Sequence, residues 1–217
     1  MYTKQLTMAT LGHVFLVDDD HDIRLHLGNL LRQLNYSVSD FPSAQDFLRS
    51  ATQVTPSVLL LDMRMPLMSG LELHKLLTAQ QWQLPVIYMS GESHSQEIID
   101  AMKGGAIDFL WKPFTQSQLK DAINNGLDLD LQRHTSNLRL IGVSALHKSL
   151  SRKEQQIFSL MLQGHGNKTI AAEIGVMPDT VKKHRAQVLE KMQVSSFAEL
   201  LALCKDFVVP ESESLTG

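Results

Sequence analysis

Residues 57–70 read Ser-Val-Leu-Leu-Leu-Asp-Met-Arg-Met-Pro-Leu-Met-Ser-Gly. The apolar run Val58 to Leu61 halts at the carboxylate of Asp62, and Ser69-Gly70 then supplies a helix start. Strands covered on both faces have this unbroken apolar character, so Ser57 to Leu61 is predicted as a central strand of a parallel sheet. Working outward, further short runs fall at His13 to Val17, Ser37 to Ser39, Pro85 to Met89 and Ile107 to Leu110. Amphipathic stretches at 21–34, 43–51, 70–80, 95–104 and 116–130 alternate with them, with Pro42-Ser43 as another start signal and Gly104-Gly105 as a stop. This alternation predicts an α/β doubly wound five-stranded parallel sheet, whose ligands collect at the carboxyl ends of the strands.

The chain of 217 residues has room for a second domain, since domains commonly hold about 100–150 residues. From 131 to 150, Arg133, His134, Ser136, Asn137 and Gly142 interrupt the leucine pattern, which reads as an extended helix end plus a linker. Beyond Ser151 everything is helical, in stretches 151–163, 167–174, 178–192 and 195–206 separated by turns too short for anything but a compact all-α domain. Pro210 to Gly217 reads as a frayed tail. The bounds are thus 11–130 for the first domain, 131–145 for the linker, 146–209 for the second domain and 210–217 for the tail.

A hydrophobic fraction of 43% and a charged fraction of 20% are globular values that exclude wholesale disorder. No apolar run approaches the ~18 residues of a membrane span, and Met1 to Thr10 lacks the features of a signal peptide, so a cytoplasmic protein is expected. The lone Cys204 reads as core filler, and the nine histidines show no zinc-ligand spacing. Residues 1–130 carry 9 basic and 15 acidic groups, whereas residues 131–150 add 3 basic groups and no acid. Any nucleic-acid partner therefore belongs to the second half.

Chemistry concentrates at the strand ends. Asp18, Asp19 and Asp20 follow the first strand and Asp62 closes the third; if those strands are neighbours the carboxylates converge, and a cation must compensate them. An all-oxygen set of this kind suits Mg²⁺. Asp20 reads equally well as the N-cap of the next helix. Ser90 and Lys112 end the fourth and fifth strands at the same rim. A carboxylate nucleophile, a metal site, a hydroxyl donor and a lysine are what forming and holding an aspartyl phosphate requires.

On Val14 to Arg24, Leu60 to Gly70, Ser90-Gly91 and Asp108 to Pro113, residues 11–130 resemble a response-regulator receiver of flavodoxin-like fold. The resemblance implies that Asp62 accepts a phosphoryl group and that Asp19 and Asp62 ligate Mg²⁺ with the backbone carbonyl of Arg64. It further implies that Asp18 acts through water, that Lys112 pairs with the phosphate, and that Ser90 and Phe109 form a switch. Ser90 stands where many members carry Thr, but either hydroxyl can donate to a phosphoryl oxygen. An aspartate-based phosphohydrolase is the enzyme alternative, through Asp18-x-Asp20. It needs a further acidic pair on a late strand, whereas Asp128 and Asp130 lie in a helical stretch.

In the second domain Ser151 and Glu154 form a capping box, with Ile157, Phe158, Leu160, Met161 and Leu162 as core. Ile170, Ala171 and Ile174 on one helix and Val181, Val188, Leu189 and Met192 on the next face inward across a tight turn, the pattern of a helix-turn-helix. Lys182, Lys183 and Ala186 share an exposed face suited to a major groove. Asn167, Lys168, Thr180, Arg185 and Lys191 are cast as phosphate contacts, and His184 as a packing residue.

Leu150 to Glu154, Gly164, Asn167-Lys168, Ile170-Ala171, Thr180 to Val188 and Lys191-Met192 resemble the LuxR-type effector domain over residues 146–206. The two domains together resemble the NarL/FixJ subfamily, closest to its FixJ-like branch through His184-Arg185-Ala186. The resemblance implies phosphorylation by a sensor histidine kinase, homodimerisation through the fourth helix and fifth strand, including Ile99 and Lys103, and binding to a double-stranded DNA operator. RNA polymerase is the further partner implied. A phosphorylation-independent DNA-binding regulator is the alternative within this class.

Overall fold

Alternate side chains along β1 (His13–Val17), β3 (Ser57–Asp62) and β4 (Val86–Ser90) enter two different cores, because successive residues of a strand point to opposite faces. Phe15, Val17, Leu59, Leu61, Val86 and Tyr88 pack on one face, and Val14, Leu16, Val58, Leu60, Ile87 and Met89 on the other. With β2 (Ser37–Phe41) and β5 (Asp108–Trp111) they form a parallel sheet in the order β2-β1-β3-β4-β5. The expected doubly wound sheet is therefore present. This computed structural model describes residues 10–92 and 95–209; the expected tail over 210–217 and the opening stretch before Thr10 lie outside the described residues.

Helices α2 (Ala44–Ser50), α3 (Gly70–Ala79) and α4 (Ser95–Lys103) cover the first face through Phe47, Leu73, Leu77 and Ala101. Helices α1 (His21–Gln33) and α5 (Gln116–Lys148) cover the second through Leu27, Leu31, Leu119 and Ile123. Each buried Leu, Ile or Phe among them contributes about 1.5–3 kcal/mol, and covering both faces is what makes the inner strands uniformly apolar. Ser43 and Ser69 cap α2 and α3 as expected, the latter in a capping box with Glu72.

The contacts divide the chain between His134 and Thr135, and the second unit has its own core. There α6 (Arg152–Leu162) starts at Ser151 in the expected capping box with Glu154. Helices α7 (Asn167–Ile174) and α8 (Pro178–Lys191) follow across a turn opened by Gly175 in the left-handed region, φ 67°, and α9 (Phe197–Leu203) completes the unit. Ile157, Phe158, Met161, Ile170, Val181, Val188 and Met192 are buried together, with Cys204 at their margin.

One expectation differs. Helix α5 does not end near residue 130 but runs through the expected linker, 131–145, to Lys148. Gly142 is the most helix-weakening residue there, at about 1 kcal/mol, and no proline interrupts. Burial of Val143 in the second core, with Leu146 packed against it, offsets that cost.

Candidate functional site

Strand register positions the acidic rim before any side-chain contact is considered. Val17 pairs with Leu61, Asp62 with Met89 and Ser90 with Trp111, so Asp18 and Asp62 end level at the carboxyl edge, with Ser90 one residue and Lys112 two residues beyond them. Helix α3 then approaches closely: a Cβ on Gly70 would stand 2.4 Å from the carbonyl oxygen of Asp62. Only glycine allows that contact.

Lys112 supplies the compensating cation. Its Nζ donates to Asp18 Oδ2 and to Asp62 Oδ1, each at 2.7 Å, while the Asp62 Oδ2 accepts from the Arg64 backbone N–H at 2.9 Å. Burial pushes the Asp62 carboxyl above the ordinary carboxylate range, against the Lys112 hydrogen bond, which favours the charged form. For Lys112 burial works against the ammonium, but the hydrogen bonds to Asp18 and Asp62 outweigh it and hold its pKa above the usual value. Two carboxylates against one partly buried ammonium leave this edge net negative, so a further cation is needed before it receives a phosphoryl group.

Asp19 is exposed between two fixed neighbours. Asp18 Oδ1 accepts from the Asp20 N–H at 2.9 Å, and Asp20 is the N-cap of α1, accepting from the N–H groups of Ile23 and Asp22, which hold its pKa below the ordinary value. Among the described residues no three His, Cys, Asp or Glu side chains close into a metal cage. Mg²⁺ does not ask for one: it takes one or two carboxylates and keeps several waters, and Asp19, Asp62 and the Arg64 carbonyl fit that demand.

The remaining expected residues take distinct states. Ser90 is buried, and its hydroxyl donates to the Glu92 carbonyl at 2.8 Å. Phe109 is partly buried, its ring edge-on to Trp111 at 5.1 Å between centroids. Asp130, one of the acids a phosphohydrolase built on Asp18 would need at the carboxyl edge, instead accepts from the Ser57 N–H at 2.8 Å, at the amino end of β3. That is roughly 16 Å from Asp62 at strand rise.

In the second unit Lys182, Lys183 and Ala186 are exposed on one face of α8, Lys168 is exposed on α7, and Asn167 and Thr180 are partly exposed. Lys182 pairs with Asp179 at 3.0 Å, an exposed contact that competes weakly with any partner. Two residues expected to touch phosphate are engaged internally. Arg185 donates to the His165 carbonyl at 3.3 Å and lies 5.5 Å over the Phe197 ring. Lys191 donates to the buried Glu154 at 2.6 Å, which draws the Glu154 carboxyl down to about 2.

Three contacts are missing from the sequence reading: Arg24 with the Asp18 carbonyl, Arg64 with Glu97 at 3.1 Å, and Lys191 with Glu154. Only the first leaves a local signal. Helical side chains lean toward the N-terminus, so an arginine four residues past the Asp20 cap reaches back to the loop it follows.

The family profile described as the response regulator receiver domain matches residues 14–124, and that of the luxR family of bacterial regulatory proteins matches residues 148–204. The chain is 38% identical to the response regulator protein TmoT of Ectopseudomonas mendocina over 188 residues, 87% of this chain and 86% of TmoT. It is 35% identical to the transcriptional regulatory protein FixJ of Bradyrhizobium diazoefficiens over 196 residues, 90% of this chain and 96% of FixJ. Among solved structures, the response regulator StyR superposes with a TM-score of 0.77 at 39% identity, covering 90% of this chain and 99% of StyR.

Proposed function

The chain belongs to the response regulators of the NarL/FixJ type, which join a receiver to a LuxR-type helix-turn-helix domain for two-component regulation of transcription, and on that premise we propose that its signal is phosphorylation of Asp62. The observation that carries this reading is the Lys112 ammonium held 2.7 Å from an Asp62 carboxylate at the sheet edge where Ser90 also ends its strand. An Asp62 oxygen attacks the phosphorus of a phosphohistidine on a sensor histidine kinase. The phosphorus–nitrogen bond breaks, and the imidazole leaves with its electron pair. Lys112 stays as counter-charge to the phosphoryl oxygens, and Ser90 exchanges its bond to Glu92 for one to the phosphate. Asp19, Asp62 and the Arg64 carbonyl would hold Mg²⁺, with Asp18 acting through water, and the ion would supply charge stabilisation for the transfer.

Release of the Ser90 hydroxyl from the loop before α4 couples the phosphate to that helix, with Phe109 turning inward. The face of α4 and β5 is the dimer surface, where Ile99, Met102 and Trp111 are each between 44% and 50% exposed and Lys103 flanks them. A homodimer presents two copies of α8 to a double-stranded operator, with Lys182, Lys183 and Ala186 toward base edges and Asn167, Lys168 and Thr180 toward phosphates. Arg185 and Lys191 reach phosphate only at the expense of their internal partners. RNA polymerase is the onward partner, and the cytosol the site of action; among the described residues no helix is long and apolar enough to cross a membrane.

Incubating the chain and its Asp62→Asn variant with acetyl phosphate and Mg²⁺ tests the assignment. The parent is expected to incorporate phosphate and the variant none, since an amide is a far poorer nucleophile. Equal incorporation would place the acceptor elsewhere.

A further inference from the structure

Both peptide planes that flank the Cα of Asp19 are pinned. The Asp18–Asp19 peptide is held at its carbonyl by the Arg24 guanidinium, Nη1 to O at 2.7 Å. The Asp19–Asp20 peptide is held at its N–H by the Asp18 carboxylate at 2.9 Å. Fixing two successive peptide planes fixes φ and ψ of the residue between them, and with them the direction of its Cα–Cβ bond. Lys112 serves the Asp18 and Asp62 side, and Arg24 serves the loop from the α1 side.

From this geometry we infer that Arg24 is a positioning residue for Mg²⁺: it touches no reacting atom, but by fixing the backbone at Asp19 it narrows the directions the exposed carboxylate can take toward the cation. The inference rests on the proposed Mg²⁺ role of Asp19 and deepens it. Partners one shell removed from a metal commonly contribute 10- to 100-fold in affinity, because they spare the ligand the entropy of being ordered on binding.

The test uses the full chain and its Arg24→Met and Arg24→Lys variants. Isothermal titration with MgCl₂ alone gives the affinity, and the rate of phosphorylation by acetyl phosphate is followed across Mg²⁺ concentrations. Arg24→Met is expected to weaken Mg²⁺ about tenfold, with Arg24→Lys between it and the parent because one N–H donor is restored. At saturating Mg²⁺ the phosphorylation rate of Arg24→Met returns close to that of the parent. An unchanged affinity overturns the inference, as does a rate deficit that saturating Mg²⁺ leaves in place alongside a lowered metal-free unfolding midpoint. If the parent takes up no Mg²⁺, the proposed metal role of the rim fails first and this inference with it; phosphate uptake at Asp62 is judged separately by the Asp62→Asn comparison.

Discussion

The Nζ of Lys112 lies 2.7 Å from Oδ1 of Asp62 although their strands are not neighbours: β4 runs between β3 and β5, and the lysine reaches across its end. The same ammonium is 2.7 Å from Asp18 and only 20% exposed, so three strands depend on one cation. Lys112→Ala should destabilise the first unit by about 3 kcal/mol, the lower part of the range for breaking a buried pair. Urea unfolding followed by the fluorescence of Trp82 and Trp111, both in the first unit, measures this. A loss as large in an Asp18→Asn/Asp62→Asn background would show that the lysine acts through packing and not through charge.

Asp62→Asn should have the opposite sign. A carboxyl whose folded pKa is raised favours the protonated form in the folded state, so the charge opposes folding at pH values above its folded pKa, and that penalty fades as pH falls. The amide variant is therefore expected to be more stable than the parent at pH 7, with the difference shrinking toward acid. Denaturation midpoints at pH 7 and pH 4 decide it; a variant less stable at pH 7 contradicts the stated cause.

Glu154 carries the reverse linkage. Its carboxyl is drawn from about 4.5 to about 2 by Lys191, so the stability it contributes is present above pH 4.5 and is lost as pH falls from there toward 2. Hydrogen exchange of the α6 and α8 amides should accelerate through that window in the parent. In Lys191→Ala those amides should exchange faster already at pH 7 and accelerate less across the window. Superimposable profiles would remove Lys191 as the cause.

Lys182→Ala/Lys183→Ala and Arg185→Ala should separate binding from folding. The two lysines are exposed, and their loss is expected to weaken operator binding and relax base preference by about 1–3 kcal/mol per base contact with little change in thermal stability. Arg185 spans His165 and Phe197, and its loss is expected to lower the unfolding temperature of the second unit. Operator titration beside calorimetry checks both. An Arg185→Ala chain of parental stability that binds every DNA sequence more weakly would return that residue to the phosphate contacts.

Where the second unit begins is testable by truncation. Val143 is 1% exposed in its core, so a fragment from residue 138 should be more stable than one from residue 148 by at least the about 1.5–3 kcal/mol of one buried aliphatic side chain. Equal urea midpoints for the two fragments would mean that the end of α5 adds nothing to that core.

The sequence by itself determined whatever is encoded over a few residues. Val58 to Leu61 ending at Asp62 is a buried strand with a carboxylate at its edge because side-chain alternation and sheet coverage act locally, and Ser151 with Glu154 announces a helix start because capping spans one turn. Strand-end placement also made Asp18, Ser90 and Lys112 legible as one rim. Tertiary structure alone decided which cation answers which acid. Lys112 meets Asp18 across 94 residues, and Lys191 meets Glu154 across 37, pairings set by strand order and helix packing and not by spacing. It also decided that α5 continues to Lys148, since the helical pattern of 131–145 is weak until Val143 finds a core to enter. Local periodicity fixes which face a side chain takes; only the packed fold fixes what lies opposite.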